Sequence, residues 1–314
     1  MNEVHGASQG PVVLVDASIW IFRAHFSLPP SIVDVAGRPA AALQGWAGVL
    51  IDELARRPAA LGIAFDEALF SGFRHGLYPG YKAARELPDA ALAHQLEQAR
   101  RLPELLGLCV AASSEFEADD LIATAATAAR GAGRRVEIVS RDKDLLQNLR
   151  AAGDIMRDAD GRRVIDLAAA RDRFGVATEA IPDLQALCGD PIDGIPGVRG
   201  VGERTAAALI DRHGDLETLF AELDAAGADA LAGIRGAARL AERLQGARDE
   251  VFLFRELTRA RMDAPVNFAP HLAPPPRPTR DAMAAALAQV GLGERMRARV
   301  ARMPASTGRD AGVQ

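Results

Sequence analysis

The chain of 314 residues is 49% apolar and 25% charged, the make-up of a folded globular protein and not of a disordered or collagen-like one. Its apolar runs are cut by Asp16, Asp52 and Asp66, so none approaches the roughly 20 residues that cross a bilayer. A net charge of −5 argues by itself against a nucleic-acid partner, yet nine acids fall into the motifs below and the remainder is mildly basic. A basic body around an acidic, metal-neutralised hole suits phosphate backbones.

Met1 to Gly10 has neither the basic nor the apolar part of a secretory signal. Cys109 and Cys188 are isolated and the histidines form no metal-type pair, which predicts a cytoplasmic chain without disulfides or zinc. In chain order, Pro11 to Asp16 is a short β-branched run that predicts a buried strand, followed by a helix over Ile19 to Phe26. Further strands are expected at Leu61 to Phe65, Leu106 to Ala111 and Val136 to Ser140. Between them, Ala40 to Arg56, Leu92 to Leu106 and Ala118 to Arg130 are Ala-rich and helical. That alternation predicts an α/β fold, a mostly parallel sheet flanked by helices. Asp154 to Arg157 and Arg162 to Asp166 face each other across a turn as a hairpin at its edge.

From about residue 182 to 268, helices separated by Gly and Pro predict a second, helical domain after an α/β domain over 1–181. Residues 269–314 comprise a Pro-rich linker, a terminal helix or helix pair broken near Gly291 and Gly293, and a disordered tail from Pro304.

Asp16 and Asp66 close the first two strands, and Asp142 and Asp144 follow a third within one turn. The C-terminal ends of parallel strands share one edge, where ligands characteristically bind, so these acids are expected to converge. Singly, each is also an ordinary helix cap or turn residue. Glu117, Asp119 and Asp120 open a helix, where acids compensate the dipole, but three in four residues repel one another unless a cation intervenes. Asp190 and Asp193 stand in Asp-Pro and Asp-Gly turns and remain undecided on their own. Carboxylates without His or Cys suit Mg²⁺ or Mn²⁺, and two such ions about 3.5 to 4 Å apart hydrolyse phosphodiesters in line.

The order Asp16, Phe65-Asp66, Phe73-Arg74, Tyr81-Lys-Ala-Ala-Arg85, Glu117-Ala-Asp-Asp120, Asp142-Lys-Asp144, Gly189-Asp-Pro-Ile-Asp193 and Pro196-Gly-Val-Arg-Gly-Val-Gly-Glu-Arg-Thr-Ala206 resembles the 5′-to-3′ exonuclease domain of bacterial DNA polymerase I and the wider flap endonuclease superfamily. The resemblance implies a PIN-like or resolvase-like sheet, a helical arch at about 72–100, and a helix-three-turn-helix domain gripping duplex DNA. It implies a first metal cluster of Asp16, Asp66, Glu117, Asp119 and Asp120, and a second of Asp142, Asp144, Asp190 and Asp193, holding two Mg²⁺ or Mn²⁺. The family pattern is departed from at Ala17, Gly194 and Arg204, where Gly, Asn and Lys are usual, and Gly194 bears on how the second ion is held.

Gly72 to Pro88 holds Arg74, Lys82, Arg85 and both tyrosines, Tyr78 and Tyr81. The charges alone fit a solvated loop, whereas the tyrosines add stacking faces for unpaired bases. The family's basic residues that polarise the scissile phosphate match Lys82 and Arg85. Gly197, Gly200 and Gly202, with Arg204 and Thr205, open a helix whose free N–H groups suit a phosphate. By resemblance this turn binds duplex DNA and holds a K⁺ ion. The expected activity is that of a free-standing, monomeric 5′ nuclease acting on DNA ends, flaps or nicks. A PIN-like ribonuclease and a catalytically silent branched-DNA binder are the alternatives.

Overall fold

A computed structural model describes residues 10–68, 71–265, 267 and 272–303, so the tail from Pro304 and part of the Pro-rich linker lie outside the described residues. Strands β1 (Val12–Asp16), β2 (Ala60–Asp66), β3 (Val110–Ser113), β4 (Val136–Val139), β5 (Ile155–Arg157) and β6 (Val164–Asp166) form one sheet. Across it they run in the order β3-β2-β1-β4-β5-β6. All pair in parallel except β6, which joins β5 as the expected antiparallel hairpin. All five residues of β1 are buried, as a central strand covered on both faces requires. The run from Leu106 becomes strand only at Val110, because the chain turns at Leu106 and Gly107 before it reaches β2.

Helices α1 (Ala17–Ser27), α2 (Ala41–Ala55) and α4 (Ala90–Leu105) cover one face through Trp20, Trp46, Leu50 and Leu102. The last two helices, α12 (Arg280–Gln289) and α13 (Glu294–Ala301), bring Met283, Leu287, Met296 and Val300 into the same core, so they belong to this layer. On the other face, the core around α5 (Ala118–Gly131) continues without a break into α6 (Leu167–Phe174), α7 (Ile181–Cys188), α8 (Glu203–His213), α9 (Leu216–Ala226), α10 (Ala237–Gly246) and α11 (Arg248–Thr258). No helix among the described residues is long and apolar enough to cross a membrane.

The region expected as a helical arch is built differently. It holds the short helix α3 (Phe73–Leu77), an irregular crossing over residues 78–89, and α4 laid against α2. Gly76, Pro79, Gly80 and Pro88 interrupt any longer helix. The Trp46 indole N–H donates to Ala99 O at 2.9 Å, and Gln95 Oε1 accepts the Ala42 N–H at 2.9 Å, which fixes α4 to the body.

Candidate active site at the carboxylate edge

The parallel register brings Asp16, Asp66 and Asp142 to one end of the sheet, where the N-terminus of α5 adds Glu117, Asp119 and Asp120. Asp16 is 4% exposed and caps α1 by accepting the Ile19 N–H at 3.2 Å. Its other oxygen accepts from Ser140 Oγ at 2.8 Å, and the same hydroxyl accepts the Asp142 N–H at 3.0 Å. One serine thus orients two acids. Burial first, and then the Asp142 charge, push Asp16 up to about 7. Burial, Asp142 and Asp16 together hold Asp119 well above the usual carboxylate range. Burial and Glu117 raise Asp66, whose Oδ1 is buried with no hydrogen-bond partner among the described residues.

The second half of the edge carries its own cations. Glu117 accepts from Lys82 Nζ at 2.8 Å and from the Tyr81 hydroxyl at 2.9 Å. Burial would raise Glu117, but Lys82 and Arg74 hold it below its ordinary value. Asp193 meets Lys82 at 3.8 Å and Arg85 at 3.1 Å. Lys143 reaches Asp190 at 3.0 Å and Asp144 at 3.8 Å, while Gln185 on α7 donates to Asp144. Burial, and then Asp142, still push Asp144 up to about 7.

Three expectations need correction. Asp120 is fully buried, and its oxygens accept from Arg74 at 2.7 Å each, from the Glu117 N–H at 3.0 Å and from the Arg261 N–H at 2.8 Å, so it is a structural counter-ion and not a metal ligand. Arg74, at 3% exposure, also donates to Leu257 O and Arg259 O; it ties α3 to α5 and the end of α11 and cannot reach DNA. Tyr81 is 2% exposed and hydrogen-bonded to Glu117, so it offers no free stacking face, while Tyr78 is half-buried in a T-shaped contact with Phe254. Their hydroxyl and ring positions serve the core under the site.

The structure also shows positioning residues that the motif reading passed over. Ser140 and Lys143 flank Asp142 in the sequence, which was the available signal. Ser18 Oγ accepts the Asp66 N–H at 2.8 Å, and Gln147 joins the turn after Asp144 to α11 by donating to Thr258 O at 3.0 Å. Gln185 arrives from another helix, so nothing local to Asp144 announces it.

Among the described residues no three acids close into a ready metal cage. The donors nonetheless fit a hard divalent cation. They are oxygen-only, Asp66 Oδ1 is buried without a partner, and Asp16, Asp119 and Asp142 crowd together with no side-chain cation paired to any of them among the described residues.

The pattern is matched by known proteins. A model described as 5′-3′ exonuclease, N-terminal resolvase-like domain, covers residues 11–175, and one described as 5′-3′ exonuclease, C-terminal SAM fold, covers residues 176–281. The chain belongs to the 5′-3′ exonuclease family. It is 35% identical over 280 residues to DNA polymerase I of Pseudomonas aeruginosa, spanning 88% of this chain but 30% of that protein. A 5′-3′ exonuclease of Mycobacterium tuberculosis is 35% identical over 292 residues, covering 83% of this chain and 87% of the relative. The chain therefore spans less than a third of the polymerase relative and most of the exonuclease one. Its fold is shared with the bacteriophage T5 5′-exonuclease carrying bound divalent zinc, at a TM-score of 0.61 and 19% identity, over 93% of this chain and 99% of that one. It is shared likewise with the catalytic core of Rad2 in complex with DNA substrate, at a TM-score of 0.59 and 14% identity, over 94% of this chain and 93% of that one.

Two features of this 5′-3′ exonuclease family member explain its loops. Gly194 has φ +73°, and a Cβ there would lie 2.4 Å from Gly80 O. Glycine lets the 189–195 loop close on the crossing segment, so that the Lys82 N–H donates to Asp193 O at 2.9 Å. Gly197 lies against the Gly189 backbone, where a Cβ would fall 2.3 Å from the Gly189 nitrogen. Gly200 packs under Arg243, whose guanidinium donates to Arg199 O at 2.7 Å, whereas Gly202 faces open space at the start of α8 beside the exposed Arg204 and the half-buried Thr205. The open space is therefore at Gly202, and Gly197 and Gly200 shape the turn behind it.

Proposed function

We propose that this chain hydrolyses DNA phosphodiesters at 5′ ends, nicks and 5′ flaps to 5′-phosphate products, acting as a cytoplasmic monomer with two Mg²⁺ ions for which Mn²⁺ substitutes. The observation that carries this reading is the gathering of the buried Asp16 with the half-buried Asp119 and Asp142, without paired side-chain cations among the described residues, at the sheet edge where ligands bind. Asp16, Asp66, Glu117 and Asp119 would hold one ion, and Asp142, Asp144, Asp190 and Asp193 would contribute to the second. Divalent ions held by these carboxylates would supply neutralising charge and Lewis acidity toward the phosphodiester and a water.

The chain's own residues supply binding and orientation. Lys82 and Arg85 stand over Asp193 and Glu117, where their charges face an incoming phosphate. The N–H groups at Gly202 to Arg204 suit the duplex backbone, the Thr205 N–H being taken up by Gly202 O at 2.9 Å, and the carbonyls of the same turn suit K⁺. The test is a 5′-labelled DNA flap, a nicked duplex and an RNA hairpin, each with and without Mg²⁺, together with a melting curve in Mg²⁺ and in EDTA. Mg²⁺-dependent cutting of both DNA substrates and a higher Tm in Mg²⁺ are expected. Cutting of the hairpin alone makes the chain a ribonuclease, and DNA binding with no cutting and no Mg²⁺ effect on Tm makes it a silent binder.

A further inference from the structure

Behind the carboxylate edge, α7 and the end of α11 close over a cavity of about 20 Å³ whose lining includes Glu117, Asp119, Asp144, Gln185, Asp190 and Asp193. That volume is room for one water-sized occupant. Gln185, on α7, is 3% exposed, and its Nε2 donates to Asp144. An ionised carboxylate only accepts hydrogen bonds, so this contact fixes which way round the amide lies. Oε1 is thereby turned away from Asp144, and it is buried with no hydrogen-bond partner among the described residues. An unpaired amide oxygen inside a folded chain is costly, and this one lines a polar cavity, so it calls for a donor or a cation there.

The origin of this side chain bears on what it does. Asp144 lies in the resolvase-like domain matched over residues 11–175, whereas Gln185 lies in the helical domain matched over residues 176–281. Beyond Gln185 the helix ends at Gly189, whose N–H donates to Gln185 O at 2.8 Å, and Asp190 follows at once. Gln185 thus joins the turn that carries Asp144 to the loop that carries Asp190 and Asp193. Lys143 spans the same acids, 3.0 Å from Asp190 and 3.8 Å from Asp144, but with a charge and from a partly exposed position. A further carboxylate at residue 185 would add to the repulsion among Asp142, Asp144 and Asp190. An amide offers a hard oxygen without that charge. We propose that Gln185 is a positioning residue of the second cation site: its N–H sets the direction of Asp144, and its Oε1 offers a neutral oxygen to the cation's hydration shell. The inference rests on the two-ion reading proposed above and adds to it a residue from the helical domain.

The experiment compares the full chain with Gln185→Met, which keeps the side-chain length and removes both amide groups, and with Gln185→Glu, which keeps an oxygen and removes the N–H. A melting curve in EDTA first shows that each variant is folded. Mg²⁺ is then titrated against Tm and, separately, against cleavage of a 5′-labelled flap. Gln185→Met is expected to need about tenfold more Mg²⁺ to complete its Tm rise and to reach half its full cleavage rate, the usual scale for losing a contact behind a metal ligand. At saturating Mg²⁺ its KM for the flap should stay within about twofold of wild type, since the DNA-facing groups are untouched. Gln185→Glu should need no more Mg²⁺ than wild type, because its oxygen and its charge both favour a cation, while its Tm in EDTA falls through repulsion with Asp144. A wild-type Mg²⁺ requirement in Gln185→Met would overturn the proposal. So would a requirement in Gln185→Glu raised as far as tenfold, since the amide would then be only a prop for Asp144, and this second titration decides by itself where Gln185→Met does not fold. No effect of Mg²⁺ on Tm or cleavage in the wild type would instead overturn the two-ion reading, and this inference with it.

Discussion

The two halves of the carboxylate edge differ in who balances the charge. Around Asp16, Asp119 and Asp142 the acids face one another, and burial with mutual repulsion raises Asp16 and Asp119. Around Glu117, Asp190 and Asp193, only residues away along the same edge, Lys82, Arg85 and Lys143 are already in place. Repulsion in the first half is relieved by protons or an external cation; in the second, the protein's own cations offset part of the burial that still raises Asp144 and Asp193. A single acidic cluster thus divides into a part that demands a cation and a part that tolerates its absence, with Lys82 joining them at Glu117.

Matched substitutions break this comparison most directly. Asp119→Asn should reduce cleavage on the order of 10³-fold, yet raise the Tm in EDTA by about 2 to 4 °C if repulsion relieved is about 1 kcal/mol. Asp193→Asn should also impair cleavage but raise the Tm by less, because Lys82 and Arg85 already offset part of the burial that raises Asp193. Scanning fluorimetry of both in EDTA decides it: shifts of equal size would mean the two halves are electrostatically alike.

Proton binding gives the next largest effect. A carboxyl raised from 3.8 to about 7 in the folded chain, as Asp16 is, keeps a proton that the unfolded chain has released. Its stabilising contribution is fully present below about pH 3.8 and is lost as pH rises toward 7. For Asp16 this is of order 4 kcal/mol. The Tm difference between Asp16→Asn and wild type in EDTA should therefore grow in favour of the variant between pH 4 and pH 7 and close on adding Mg²⁺ to wild type. A difference independent of pH would show that Asp16 is not strained in the folded chain.

Much of this edge was legible in the sequence because it follows from strand periodicity. Once β1, β2 and β4 are recognised as parallel, Asp16, Asp66 and Asp142 must share an end. What was not legible depends on partners distant in sequence. Asp120 reads like its neighbours Glu117 and Asp119, and only the arrival of Arg74 from 46 residues away removes it from the ligand set. Tyr81 looks like a stacking residue until the fold buries it against Glu117. The amphipathic pattern of α13 announced a buried face, but not that α2 would receive it or that its arginines would border a cleft. Glycines and prolines in 72–88 signalled the crossing segment more faithfully than the family's arch did.

Lys82 tests the junction between the halves. Lys82→Ala should lower turnover about 10²-fold with Kd for DNA changed less than threefold, because a charge aimed at the reacting phosphate acts on the transition state. It should also expose the second half as dependent on its lysine, lowering the Tm in EDTA as Glu117 loses its 2.8 Å partner inside a buried site. Loss of affinity with unchanged turnover would make Lys82 a backbone contact and nothing more.

The smallest effect is expected at Lys143, and it sharpens the comparison by making the second half resemble the first. Its side chain is 39% exposed, so solvent screens the pair with Asp190 and its removal should cost no more than about 1 kcal/mol. Asp190, at 4% exposure, would nevertheless remain buried beside Asp144 with no ammonium between them. Lys143→Met should therefore lower the Tm slightly in EDTA and make Mg²⁺ raise it by more than in wild type, because the cation then replaces a charge the protein no longer supplies. Raising the salt concentration should narrow the gap in EDTA, as screening weakens repulsion between the two acids. An Mg²⁺-induced rise equal to that of wild type would mean that Lys143 does not stand in for a metal ion, and that the second half is held by its hydrogen bonds to Gln185 and the Ile192 N–H instead.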